Sequence, residues 1–515
     1  MKKFVFIIIL LNISFFAFSQ KITTQARPNI IVFLLDDMGI MDTSLPFCDS
    51  IMPLNKRYHT PNMERMAKEG MKFVNAYAQP VCTPTRVSLM TGMNAARTHV
   101  TNWTSPQKNN NSDEKDEQFS PLNWNINGFS PDSDIEKAVK ATPFPKLLRD
   151  AGYYTIHVGK AHWGSMGTPG ANPYNFGFMV NVAGHAAGHP QSYLAEQHYG
   201  NMPGKAQAQA VPDLEEYYNT DTFLTEALTL EAKKALAIPI ARKEPFYLNM
   251  AHYAVHVPIT ADKRFVQKYY DTGIDSTEAK YASLIEGMDK SLGDIMDFLK
   301  AKGVDKNTII IFMSDNGGLD AHLRGGPVNT HNYPFKSGKG SVYEGGVREP
   351  MIVKWPLAVP ANSVNRNPVI IDDFFPTILE IAGIKAPKIT QKIDGLSLFA
   401  TLKHPEVKLQ DRPLIFHYPN KWTIVKDEAI LGINYYSAIR FGSWKLIYQM
   451  RTQKFELYDL SKDIGEQYNL SSTNPTEMKK LTMLLGKTLK ERGAQMPVEK
   501  MTGKAVPFPD EIFGN

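Results

Sequence analysis

Two apolar runs in this chain end in acids. Residues 29–35 (NIIVFLL) lead into Asp36-Asp37, and residues 308–313 (TIIIFM) lead into Ser314-Asp315-Asn316-Gly317-Gly318. In an open α/β sheet, ligands gather beyond the carboxyl ends of the strands. Three carboxylates and an amide collected there would repel one another in a partly dry site unless a cation joined them. Oxygen donors without thiolate or clustered imidazole favour Ca²⁺ over zinc, with Mg²⁺ as the alternative. As turn caps after a strand, the same acids would need no ion. A third element is Val81-Cys82-Thr83-Pro84-Thr85-Arg86. Proline favours the first turn of a helix, which puts Cys82 at a helix N-terminus, where backbone N–H groups and the dipole attract an anion. Arg86 lies one turn further on, toward the same place. Alone, Cys82 reads more readily as a buried structural cysteine.

Joined to the strand-end acids and to the downstream pattern Lys339-Gly340…Glu344-Gly345-Gly346…Arg348…Pro350, Cys82-Thr-Pro-Thr-Arg86 resembles the C-x-P-x-R signature of the type I, formylglycine-dependent sulfatases of the alkaline phosphatase-like superfamily. The resemblance runs from about Pro28 through the C-terminal subdomain. It implies that Cys82 is oxidised to formylglycine by a separate formylglycine-generating or sulfatase-maturating enzyme. It also implies that Asp36, Asp37, Asp315 and Asn316 hold the metal together with the oxidised Cys82, and that Arg86, Lys160, His162, His256 and Lys339 surround the sulfate. A hydrated aldehyde offers an oxygen that can attack sulfur, and cations must offset the charge growing at both ends of the transition state. His256 or Lys339 would protonate the leaving oxygen, and His162 would take the proton whose loss rebuilds the aldehyde.

Two of these residues have near neighbours of the same type. His252 stands four residues before His256, and Lys336 three before Lys339; the family's glycine-flanked lysine matches Lys339. The segment Gly159-Lys-Ala-His-Trp-Gly164 keeps the Lys and His but has Ala161 where the family often has Trp. Arg348 is expected to pair an acid in the supporting loop. His322 and Arg324, just after the metal segment, are expected to meet the substrate, a sulfated sugar or polysaccharide. A phosphomonoesterase or phosphonate hydrolase would use the same superfamily sheet, and an unmatured relative would bind carbohydrate without turning it over.

Positioning these groups calls for strands alternating with crossover helices. Further buried strands are expected at 153–158 and 246–250. Leu284, Ile285, Met288, Leu292, Ile295 and Leu299 fall at helical spacing across 279–302, with Asp275 as cap and Gly303 as stop. The expected fold is α/β, a large, mainly parallel mixed sheet flanked by helices, over residues 20–410. A smaller α+β subdomain on an antiparallel sheet follows over 411–515, with strands at 438–449 and 455–460 and a helix at 474–493. Two polar stretches, 104–134 and 184–210, read as long surface loops with little apolar burial. Loops of that length are often site walls.

Composition limits the partners. The 515 residues are 43% hydrophobic and carry a formal charge of +5, too dilute for a nucleic-acid footprint. Two cysteines, Cys48 and Cys82, give neither a disulfide framework nor a cysteine zinc cluster. Residues 1–19, Met-Lys-Lys followed by an apolar stretch and a small residue, read as a secretory signal peptide. The apolar stretch is shorter than the ~20 residues of a spanning helix, so the mature protein is expected in the periplasm or outside the cell, without a stable membrane span.

Overall fold

The computed structural model describes residues 27–513, apart from 132, 321–323, 325–329 and 423–430. The 1–19 segment and His322 therefore lie outside the described residues. The central sheet is built from β1 (Asn29–Leu35), β2 (Met71–Tyr77), β3 (Tyr154–Gly159), β4 (Val180–Val182), β5 (Phe246–Ala251), β6 (Thr308–Ser314), β7 (Arg348–Lys354), β8 (Ser363–Asn365) and β9 (Val369–Ile370). Their order across the sheet is β8-β2-β7-β6-β1-β5-β3-β4, with β9 also against β2. Strand β7 runs antiparallel to β2 and β6, and the other pairings are parallel.

Strand β1 sits between β5 and β6, its Val32 opposite both Asn249 and Ile311. Helices cover both faces, so the strand is a continuous apolar run rather than an alternating one. Ile30, Val32 and Leu34 pack on one side, toward α1 (Cys82–Thr91) and α4 (Phe374–Ile381). Ile31, Phe33 and Leu35 pack on the other, toward α2 (Leu224–Arg242) and α3 (Ser276–Ala301). Helix α3 begins where the sequence places it: Asp275 Oδ1 accepts from the N–H groups of Thr277 and Glu278 at 2.8 and 3.2 Å. Its stripe of Leu284, Ile285, Met288, Leu292 and Ile295 is fully buried. Among the described residues no helix is long and apolar enough to cross a membrane.

The C-terminal part is an antiparallel sheet of β10 (Leu414–Tyr418), β11 (Tyr436–Phe441), β12 (Trp444–Gln449) and β13 (Lys454–Asp459), backed by α5 (Pro475–Glu491). The run at 438–449, read from sequence as one strand, is a hairpin. Gly442 and Ser443 make its two-residue turn, with Phe441 paired to Trp444, and aromatic residues on both flanks hide so short a loop in the pattern. The polar stretches also differ from expectation. Phe119, Trp124 and Phe129 in one, and Tyr193, Ala195 and Tyr199 in the other, are buried. Sparse apolar residues at irregular spacing leave no periodic signal, yet they pin both loops to the body.

Candidate active site

Each reactive side chain stands where an element ends. Asp36 and Asp37 follow β1, and Asp315 and Asn316 follow β6. Lys160 and His162 follow β3, and His256 lies beyond β5. Cys82 opens α1, and Arg86 is one turn along it. Because β1 is flanked by β5 and β6, with β3 next to β5, residues more than two hundred positions apart meet at one edge.

The charges are interlocked. Lys160 Nζ donates to Asp36 Oδ2 at 2.6 Å, Arg86 Nε to Asp315 Oδ2 at 2.8 Å, and Lys339 Nζ to Asp37 Oδ1 at 2.7 Å. Asn316 Nδ2 donates to the same Asp37 oxygen at 2.8 Å. Cys82 Sγ is 3.4 Å from His162 Nδ1. The Thr104 carbonyl accepts from His162 Nε2 at 2.8 Å, and since a carbonyl can only accept, the Nδ1 lone pair faces the cysteine. Likewise His256 Nδ1 donates to the Val257 carbonyl at 3.2 Å, so Nε2 accepts from Lys339 Nζ at 3.0 Å.

Burial is the largest influence on the ionisation of these groups, and neighbouring charges reverse it at Asp37 and Lys339. Burial pushes the Asp36 carboxyl well above its ordinary range, with Asp315 and Asp37 adding to the effect of burial against Lys160 and Arg86. For Asp37 burial is overcome by His256, Lys339 and Lys160, and its carboxyl is held below the usual range. Burial lowers His162 and His256, helped by Lys160 at both and by Lys339 at His256. The Lys339 ammonium is held above its usual range by Asp37 despite burial. Burial also raises the Cys82 thiol.

The donor set fits a hard cation. Asp36 Oδ1, Asp37 Oδ2 and Asn316 Oδ1 are buried without a hydrogen bond, a costly state for oxygen. Ligand atoms of Asp36, Asp37 and His256 lie within 4.8 Å of one another. With His256 Nε2 already accepting from Lys339, the oxygens remain as the donors.

Above this floor is a cavity of about 300 Å³ onto which Cys82, His162, His256 and Lys339 open. Its walls include Trp103, Thr104, Pro106, His189, Gln209 and Trp422, so both long loops contribute. Sequence reasoning did not single out Trp103, Gln209 or Trp422; isolated residues in polar segments give no spacing to detect. It also missed Tyr193, whose hydroxyl donates to the carbonyls of Tyr253 and His256 at 2.7 and 2.8 Å and so fixes the His256 segment.

The near neighbours separate. His252 Nε2 pairs with Ser291 Oγ at 2.8 Å in the core, and Lys336 Nζ stacks 3.7 Å from the Tyr343 ring centroid. Arg348 pairs Glu344 at 3.2 Å. Ala161 is fully buried in core packing. Arg324 departs from the expectation of substrate contact. Its guanidinium donates to Glu278 at 2.6 and 2.8 Å and to Tyr58 at 2.9 Å, and stacks 3.9 Å from the Tyr281 centroid. With its side chain wholly buried, it braces α3 instead.

The sulfatase family model matches residues 28–384, and a second model, described as N-sulphoglucosamine sulphohydrolase, C-terminal, matches 336–495. The chain is 31% identical to a protein named sulfatase from Formosa agariphila, over 93% of this chain and 91% of that one. It is 30% identical to the N-acetylgalactosamine-6-sulfatase of Mus musculus, over 86% and 82%. The solved structure of Ps i-CgsB in complex with k-i-k-neocarrahexaose aligns with a TM-score of 0.69 at 27% identity, covering 90% of this chain and 93% of that one.

Proposed function

The chain belongs to the sulfatase family and is a sulfuric ester hydrolase, and from that premise we propose that it desulfates a sugar through a formylglycine made from Cys82. The observation that carries this reading is the 3.4 Å approach of Cys82 to the unprotonated face of His162, inside a ring of three cations. The net reaction converts a sulfate ester and water to an alcohol, sulfate and a proton. The chemistry such an aldehyde would supply, when hydrated, is an oxygen nucleophile toward sulfur. Asp36, Asp37, Asp315 and Asn316 would hold a Ca²⁺ or Mg²⁺ ion, whose chemistry is to draw charge from a sulfate oxygen.

The chain's own residues do the rest. Arg86 and Lys160, anchored by Asp315 and Asp36, are held as oriented donors beneath the cavity before substrate arrives. The Lys339–His256 pair holds a proton at 3.0 Å spacing for the departing alkoxide. His162 Nδ1, oriented by the Thr104 carbonyl, is placed to accept a proton from the group at position 82. Carbohydrate as the substrate class is supported by the similar enzyme named for N-acetylgalactosamine and by the neighbour holding a carrahexaose. Export rests on the leader pattern of residues 1–19, and maturation needs the separate oxidising enzyme.

The test is the mass of the tryptic peptide containing Cys82 in active protein from its producer, alongside sulfate release from a panel of sulfated sugars. An aldehyde mass with release is expected, and Cys82→Ala should abolish release while the protein stays folded. An unmodified thiol in fully active protein refutes the proposal.

A further inference from the structure

The reaction requires only a sulfate, so the groups above the floor carry information about what the sulfate is attached to. Trp103 and Trp422, both half-buried, wall the cavity with Gln209 and His189. No partner is found among the described residues for the Gln209 side-chain amide or the Trp103 indole N–H. His189 Nδ1 donates to the Pro190 carbonyl at 3.1 Å, which leaves Nε2 as an acceptor, and its ring stacks on His256 with centroids 5.6 Å apart. Indole faces suit the C–H faces of a pyranose, while a free amide and an imidazole nitrogen suit its hydroxyls. Lys339, His256, His162 and His189 are the basic side chains among the described wall residues, and the first two are committed to each other and to Asp37. Among the described residues, then, no cation on the walls is left over for a second anionic group.

The two indoles are held in place. Ser112 donates its hydroxyl to the Trp103 carbonyl, and Asn102 Oδ1 accepts from the Trp103 N–H at 2.9 Å. Asn102 also accepts from Tyr418 at 2.8 Å and donates to Asp113 at 2.8 Å. Asp113 in turn accepts from Asn420 Nδ2 at 3.0 Å, two residues before Trp422, whose own N–H donates to Asn434 at 2.8 Å. One partly buried network therefore ties the first loop to the segment bearing the second indole. Gly340, at φ +87°, completes the seat, since a Cβ there would meet Trp422 at 2.3 Å.

Resting on the carbohydrate reading above, we infer that Trp103, Trp422, Gln209 and His189 form a subsite for a single sugar ring that bears the scissile sulfate and no other charge: a neutral hexose or N-acylated hexosamine. A cavity of about 300 Å³ lies at the small end of ligand pockets, which suits one ring rather than a run of them. A ring carrying a carboxylate or a second sulfate would lose hydration with no uncommitted cation among the described wall residues to replace it.

The experiment compares kcat/KM of the matured enzyme on monosulfated neutral hexosides, on the matching sulfated uronates and on disulfated hexosides, with p-nitrophenyl sulfate alongside. The neutral ring should be preferred by about tenfold or more. Trp103→Ala and Gln209→Ala should each lower kcat/KM on that ring about tenfold, chiefly through KM, and Trp103→Phe should recover much of the loss. Thermal unfolding of each variant checks that it folds. Equal rates on charged and neutral rings, or Trp103→Ala and Gln209→Ala at wild-type KM, overturn the subsite. Turnover of p-nitrophenyl sulfate with no sugar desulfated would instead overturn the carbohydrate reading beneath it.

Discussion

The two lysines of the 336–339 loop give opposite expectations. Lys339 Nζ is 2.7 Å from Asp37 Oδ1 and 3.0 Å from His256 Nε2, with its side chain 5% exposed. In Lys339→Met, Asp37 keeps the Asn316 amide at 2.8 Å but loses its ammonium partner. Removing one member of a buried pair costs about 3–5 kcal/mol, and the remaining amide places this case near the lower end. Loss of a preorganised donor at developing negative charge costs about 10²–10³ in kcat, or about 2.7–4 kcal/mol. Lys336→Met loses the contact with Tyr343, worth about 0.5–2 kcal/mol, and a favourable field from Glu456 and Glu466, none of it at the site, and should desulfate at the wild-type rate. Urea unfolding with initial rates of sulfate release on both variants separates stability from catalysis. A Lys336→Met variant that is the slower enzyme, or a Lys339→Met variant of normal kcat, would refute the reasoning.

Asp315→Ala removes both a proposed metal ligand and the partner of Arg86, so it should lower bound calcium, measured by elemental analysis, together with activity; normal metal content would place the ion elsewhere. Lys445→Met takes the cation from between Glu344 and Glu466, at 2.9 and 2.8 Å with all three side chains buried, and should cost about 3–5 kcal/mol in urea unfolding. Asp113 is pushed up to about 6 by burial, against the hydrogen bonds from Asn102 and Asn420. A raised carboxyl contributes stability that is full below its unfolded value and lost as pH rises through its folded one, here about 3 kcal/mol. The stability of Asp113→Asn relative to wild type should therefore rise between pH 4 and pH 7, and an unchanged difference would show that Asp113 does not titrate there.

The sheet and the floor of the site were legible in sequence for one reason. A strand buried on both faces must be continuously apolar, so the acids that end it at Asp36 and Asp315 mark its carboxyl edge. The cap at Asp275 was legible because capping is local. The Gly442-Ser443 turn escaped because two residues between aromatics interrupt nothing in the period. The buried role of Arg324 escaped because its partners, Glu278, Tyr58 and Tyr281, are distant in the chain, and a cation near an acidic motif looks the same whether it faces ligand or core. The walls were least legible of all: Trp103 and Trp422 lie more than three hundred residues apart and meet one cavity only through the loop network around Asp113.

That division follows the electrostatics of the reaction. Asp36, Asp37 and Asp315 are matched one for one by Lys160, Lys339 and Arg86, so the side-chain charges at the floor balance when ionised, and Asp36 resists ionising in that state. A divalent cation would relieve Asp36 and leave the floor with a surplus of about two positive charges. A sulfate monoester supplies one negative charge, and bond cleavage develops another on the leaving oxygen, so the surplus is met most fully in the transition state, which is what differential binding requires. The floor can therefore recognise sulfate transfer in general while contributing almost nothing to the choice of sugar. Discrimination has to come from the walls, among whose described residues Trp103, Gln209 and Trp422 carry no charge, and a change of substrate needs only new loops on an unchanged sheet.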